Sequence, residues 1–167
     1  LERMFPPIPT PKEETVLEVR GLSSGLGSFS DVNFKVATGE ILGIAGLVGA
    51  GRTELVRAIV GVDPISDGQV LLDGVDISPR KPRDAIRNGM VLVPEDRKLQ
   101  GLVLSHSIAE NFAYANMNEV ASRGWVTVSR VKAFAEACIA KFGVKGQGHQ
   151  TADELSGGNQ QKAVIAK

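Results

Sequence analysis

The run Gly46-Leu47-Val48-Gly49-Ala50-Gly51-Arg52-Thr53 is built for phosphate chemistry. Three glycines let a backbone wrap closely around an anion, with successive N–H groups pointing inward. The hydroxyl of Thr53 suits a Mg²⁺ that bridges terminal phosphates. The run departs by one letter from the pattern G-x-x-x-x-G-K-[ST], because Arg52 stands where lysine is asked for. Arginine keeps the charge but is longer, planar and forked, so its reach to the β- and γ-phosphates differs. The expectation is a loop, Gly46 to Thr53 with Glu54 beside it, that binds a nucleotide well and catalyses poorly.

A second group of interest is Leu155-Ser156-Gly157-Gly158-Asn159-Gln160-Gln161-Lys162. Ser156 can cap a helix there, and the two glycines expose N–H donors at its positive end. That makes a second anion site, with Ser156, Gly157, Gly158, Asn159 and Gln160 as its candidates. His106 and His149 are isolated in loop-like stretches, and neither is assigned a metal or catalytic role.

The elements around these groups follow from periodicity. Ile41 to Ala45 is continuously apolar and reads as a buried strand leading into the glycine turn. Leu55, Val56, Ile59 and Val60 share one face of a following helix, with Gly61 as its stop. Val16 to Arg20 reads as a strand, Gly21 to Ser30 as a loop, and Val32, Phe34 and Val36 as an alternating strand. Asp67-Gly68 and Gly74 mark turns around a short strand over 69–73. Pro82 to Asn88 reads as a short helix with Gly89 as its stop. Met90 to Val93 is a second apolar run, as in a parallel sheet covered on both faces.

From about residue 100 the pattern becomes helical. Ser107-Ile108-Ala109-Glu110 is a capping box. Val128, Val131, Phe134, Ala135, Cys138, Ile139 and Phe142 form a helical stripe ended by Gly143. Cys138 lies on that stripe and is read as a packing residue. A last helix begins at Gly158 and runs to Lys167 without a stop.

The chain has 167 residues, 43% hydrophobic and 23% charged, with a formal net charge of zero. Such composition suits one globular domain and argues against a broad nucleic-acid surface, so no nucleic-acid partner is expected. One cysteine excludes an internal disulfide framework. No apolar run reaches the roughly 18–20 residues of a membrane span. Residues 1–14, with Pro6, Pro7, Pro9 and Pro11, read as an interdomain linker.

The two motifs together resemble the ATP-binding-cassette ATPases. Leu155 to Gly158 is similar to the start of that family's signature, and Gly46 to Thr53 to its phosphate loop apart from Arg52. The wording of both motifs, with Pro94-Glu95-Asp96-Arg97-Lys98, looks most like the second ATPase half of tandem proteins serving ribose-, galactose- and xylose-type importers. The resemblance implies an α/β fold of the P-loop NTPase type: a mixed-sheet core with a helical subdomain, incomplete at its C-terminal side. Residues 15–99 would form the ATP-binding core, and 100–167 the helical subdomain and signature helix.

It also implies ATP and Mg²⁺ as cofactors. The partners would be transmembrane permease subunits, a second nucleotide-binding domain in the N-terminal half of the parent chain and, indirectly, a solute-binding protein. The location would be the cytoplasmic face of the membrane. Ser156, Gly157 and Gly158 would touch ATP held by the other domain. Glu95 stands where the family has a coupling glutamine; with Thr53 it is a candidate Mg²⁺ ligand. Between Gly21 and Ser28 no aromatic is present to stack on adenine, and Phe29 is a weak substitute. The family's second acidic motif, with its catalytic Glu, does not occur in these residues. No catalytic residue is therefore assigned, hydrolysis by this chain alone is not expected, and its unfinished sheet should expose apolar surface. Two other readings are a non-hydrolysing nucleotide-gated module and a soluble cassette ATPase of nucleic-acid metabolism.

Overall fold

A computed structural model describes residue 10 and residues 12–167; the expected linker lies largely outside the described residues. The chain divides into two compact units, the first running through Leu92 and the second Val93–Lys167.

The first unit is organised on β1 (Thr15–Ser24), which pairs antiparallel with β2 (Val32–Ala37) and with β3 (Ile65–Leu72). A short β4 (Val75–Asp76) completes the order β2-β1-β3-β4. The alternation in Val32, Phe34 and Val36 turns these side chains inward, where they join the partly buried rim or the sheet face. Gly21 to Ser24 belongs to β1 rather than to a loop, and Asp67-Gly68 lies within β3 rather than in a turn. The reason is a bulge. Gly21 (φ 56°) and Gly68 (φ 92°) face each other so closely that a Cβ on Gly68 would lie 2.5 Å from the Gly21 backbone. Two glycines therefore let the strands stay paired through an irregularity that side chains would break.

Helix α1 (Arg52–Ile59) packs Leu55 and Ile59 against Val19, Leu22 and Val70, the core of this unit. Helix α2 (Pro82–Arg87) opens on its proline, as expected. The two continuously apolar runs differ from expectation. Residues 41–45 and 90–93 are not strands, and Ile41 and Val91 are 86% and 73% exposed. A parallel strand must hydrogen-bond its neighbours, and among the described residues no strand pairs with either run.

The second unit carries α3 (Ile108–Ala115), α4 (Met117–Val120), α5 (Val128–Phe142) and α6 (Gly157–Ala166). A small hairpin of β5 (Ala121–Ser122) and β6 (Trp125–Val126), which the pattern did not announce, precedes α5. The core gathers Leu102, Ile108, Phe112, Ala135, Val144, Leu155, Ala163 and Val164. Phe134, Cys138, Ile139 and Phe142 pack against it from α5. Burial pushes the Cys138 thiol up, which keeps it protonated and suits a packing role. Val128 is the exception on that stripe: at 87% exposed, it begins the helix outside the core.

The capping box of α3 forms as expected. Glu110 N donates to Ser107 Oγ at 3.2 Å, and Ser107 N donates to Glu110 Oε2 at 2.8 Å. The Ser107 hydroxyl also donates to that carboxylate at 2.6 Å and is the main cause holding Glu110 below its usual range. Ser107→Ala should cost about 1 kcal/mol. A depressed folded-state value means that the carboxylate's share of stability is present above the unfolded range and is lost as pH falls through the folded value. Thermal unfolding should therefore show a gap between wild type and Ser107→Ala at neutral pH that narrows in acid. A gap independent of pH would remove Glu110 from the cap.

Candidate nucleotide-binding site

The glycine turn is placed by its sequence neighbours on both sides. Ala50 N donates to Leu47 O at 3.1 Å, closing the turn, and Leu55 N donates to Gly51 O at 2.8 Å, the first backbone bond of α1. The amides of Arg52 and Glu54 come before that bond, where a helix offers them no internal acceptor. Gly49 (φ 81°) and Gly51 (φ 76°) are both left-handed, which turns the chain sharply into the helix. Gly51 is also pressed against Ser28: a Cβ there would lie 2.5 Å from the Ser28 carbonyl oxygen.

The stem of Arg52 folds back over the turn, with its Cδ 3.4 Å from where a Cβ on Gly46 would be. Leu47, Val48, Gly49, Ala50, Arg52 and Thr53 are exposed, Gly51 is buried and Glu54 is half-buried. Thr53 is the second residue of α1, so its hydroxyl stands at the helix's positive end. Backbone donors and a helix terminus thus meet at one turn, an arrangement that suits the phosphates of a nucleotide. Among the described residues no group of three or more His, Cys, Asp or Glu side chains could hold a metal ion. A Mg²⁺ at Thr53 would accordingly take most of its oxygens from phosphate and water. Phe29 is half-buried against the core of this unit, and its Cβ lies 3.5 Å from where a Cβ on Gly51 would be.

In the second unit, Glu95 is exposed. Ser156 precedes α6 as expected, but its hydroxyl does not cap the backbone. It accepts instead from Asn159 Nδ2 at 3.0 Å. Its own proton is left able to donate outward beside the exposed Gly157 and Gly158. Asn159 Oδ1 meanwhile accepts from Lys145 N at 2.9 Å. Gln160 is placed differently from the two glycines. It is only 4% exposed, accepts from Arg97 Nε at 3.1 Å and donates to Ala152 O at 3.0 Å. It shares a helical face with Ala163 and Val164, so its amide is turned into the core and away from the exposed glycines. The sequence reading missed Arg97 as its partner.

A family model described as ABC transporter matches residues 29–167. A ribose import ATP-binding protein of Oceanobacillus iheyensis is 44% identical over 153 residues, which are 91% of this chain and 31% of that protein. A ribose/galactose/methyl galactoside import ATP-binding protein of Burkholderia ambifaria, described as putative, is 42% identical over 169 residues, covering all of this chain and 32% of its own length. The chain thus spans about a third of the length of these relatives. Among solved structures, a nucleotide-free ATP-binding cassette from an ABC transporter superposes with a TM-score of 0.72 at 20% identity, over 91% of this chain and 63% of that one. The cbiO1 protein of Clostridium perfringens, part of an ABC transporter complex, gives a TM-score of 0.68 at 20% identity, over 92% and 61%. The shared fold is the α/β ATP-binding cassette, and this chain belongs to the ABC transporter family.

Proposed function

We propose that this chain is the nucleotide-binding part of an ATPase that drives import of a monosaccharide. The left-handed pair Gly49 and Gly51, feeding directly into α1, carries the reading. In it, Gly46 to Thr53 and Glu54 hold the phosphates of ATP, and the hydroxyl of Thr53 serves Mg²⁺. Ser156, Gly157 and Gly158 serve a nucleotide bound by a second nucleotide-binding domain of the parent chain. Residues 15–99 are the ATP-binding core and 100–167 the helical and signature part. The complete protein works at the cytoplasmic face of the membrane on permease subunits, with a solute-binding protein acting through them. Sugar import is what the names of the relatives support.

Calorimetry of the chain with ATP, with and without Mg²⁺, tests the site. Binding should strengthen with Mg²⁺, and Thr53→Ala should remove most of that gain. A Mg²⁺ effect unchanged by Thr53→Ala would displace the metal from this loop. A second reading, a nucleotide-gated module that does not hydrolyse, is favoured by Arg52 in the lysine position. Turnover by the complete protein that is unaffected when this half is disabled would support it.

A further inference from the structure

We propose that Asn159 is a positioning residue: its amide sets the direction of the Ser156 hydroxyl proton, so that the start of α6 presents a hydrogen-bond donor to the phosphate of a nucleotide held by another domain. The proposal rests on the nucleotide-binding reading for its ligand and on the geometry of this unit for the fixed donor. Asn159 Oδ1 accepts from Lys145 N at 2.9 Å, and Asn159 Nδ2 lies 3.0 Å from Ser156 Oγ. The first contact decides the second. A backbone amide can only donate, so the atom of Asn159 that meets Lys145 N is the carbonyl oxygen. The other end of the side chain is then the NH₂ group, which also can only donate. Ser156 Oγ must therefore accept, and its one proton is left for an acceptor elsewhere. Ser156, Gly157 and Gly158 are exposed, so an anion can reach that proton from outside the unit.

The clamp has a firm base. Lys145 lies in the turn after α5, where Lys162 Nζ donates to Gly143 O at 3.0 Å and Gln147 N to Gln150 Oε1 at 2.7 Å. A Cβ on Gly146 would lie 2.7 Å from Leu155 Cδ2, so this turn is pressed against the residue that precedes Ser156. Leu155 is itself buried. Asn159, half-buried between the turn and Ser156, is thereby held in one orientation. A donor already aimed before the ligand arrives needs no reorganisation when charge develops on it. Asn159 touches no reacting atom in this account; it acts through the hydroxyl of Ser156.

The test uses the complete ATP-binding protein with Ser156→Ala, Asn159→Ala, Asn159→Asp and the double variant Ser156→Ala/Asn159→Asp. Aspartate has the shape of asparagine and keeps an acceptor for Lys145 N, but it sets a second acceptor opposite Ser156. The hydroxyl then turns its proton to the carboxylate, in a charge-assisted bond, and shows the phosphate only lone pairs. Asn159→Asp should lower kcat about 10- to 100-fold, as the loss of one aimed donor does. KM for ATP should stay near wild type, because the phosphate loop is untouched. Asn159→Ala frees the hydroxyl among three staggered positions, so its loss should be no more than about threefold. The double variant should be no worse than Ser156→Ala alone. Amide exchange at Lys145 should quicken in Asn159→Ala and stay slow in Asn159→Asp, whether or not the protein turns over. If wild type fails to bind ATP, the nucleotide reading falls while the exchange result still decides the clamp. An unchanged kcat in Asn159→Asp, losses that multiply in the double variant, an Asn159→Ala as poor as Asn159→Asp, or the same Lys145 exchange in every variant would each overturn the proposal.

Discussion

Gly51→Val should lower ATP affinity about a hundredfold or more, equivalent to about 2.8 kcal/mol at roughly 1.4 kcal/mol per tenfold. Two costs combine. An L-residue at φ 76° is disfavoured by roughly 1–2 kcal/mol before any contact is counted. Its Cβ would also sit 2.5 Å from the Ser28 carbonyl oxygen, which is backbone held between paired elements and cannot turn away like a flexible side chain. The chain must instead move α1 or the turn, and either displaces the donors from the phosphates. Gly49→Ala separates the two costs. Its φ is 81°, yet a Cβ there meets no protein atom within 4 Å. Gly46→Ala meets Ala50 Cβ at 3.1 Å, at an ordinary φ. If the cradle is a backbone device, calorimetry should find Gly51→Val worst. Equal affinities for wild type and Gly51→Val would remove the phosphates from this turn.

What could be read in advance were the features that depend on short-range chemistry. The helix after Gly51 follows from a glycine turn and the spacing of Leu55, Val56 and Ile59; the capping box needs only Ser107 and Glu110. Residues 41–45 and 90–93 show the limit. An apolar run says that burial is favourable, but not which strand supplies the hydrogen bonds, and among the described residues neither run is paired. Gly21 to Ser24 looked like a loop because glycine and serine are turn formers. The pairing that keeps it a strand depends on Gly68, far along the chain. Gln160 is subtler. Its helical register with Ala163 and Val164 is present in the pattern, but the signature motif does not separate its exposed end from its buried one. Which polar residues of a signature face outward is settled by a partner such as Arg97, and no local rule names that partner.

Asn111→Leu should destabilise the second unit by about 2–3 kcal/mol, because it removes a fully buried amide that no neighbour can replace. Asn111 Oδ1 accepts from Val103 N at 2.8 Å. Its Nδ2 lies 3.0, 3.4 and 3.0 Å from the carbonyls of Val103, His106 and Ser107. This one side chain therefore shapes the segment leading from the Arg97–Gly101 turn into α3. Leucine restores volume but leaves Val103 N–H without its acceptor. The three carbonyls lose less, since His106 N and Asn111 N still donate to those of Val103 and Ser107, and Ala152 N to that of His106. Asn111→Asp is the sharper variant. It keeps an acceptor for Val103 N–H, but an ionised carboxylate would face three carbonyl oxygens in a buried site. Its folded-state pKa must then rise above the usual carboxylate value of about 3.9. The folded state binds the extra proton, so stability falls as pH rises above that value. Urea unfolding followed by the helical signal should show a midpoint loss for Asn111→Leu that is the same at all pH. For Asn111→Asp the loss should be small in acid and grow toward neutrality. A pH-independent Asn111→Asp would mean that the side chain had rotated out to water, and that the Val103 segment does not depend on Asn111.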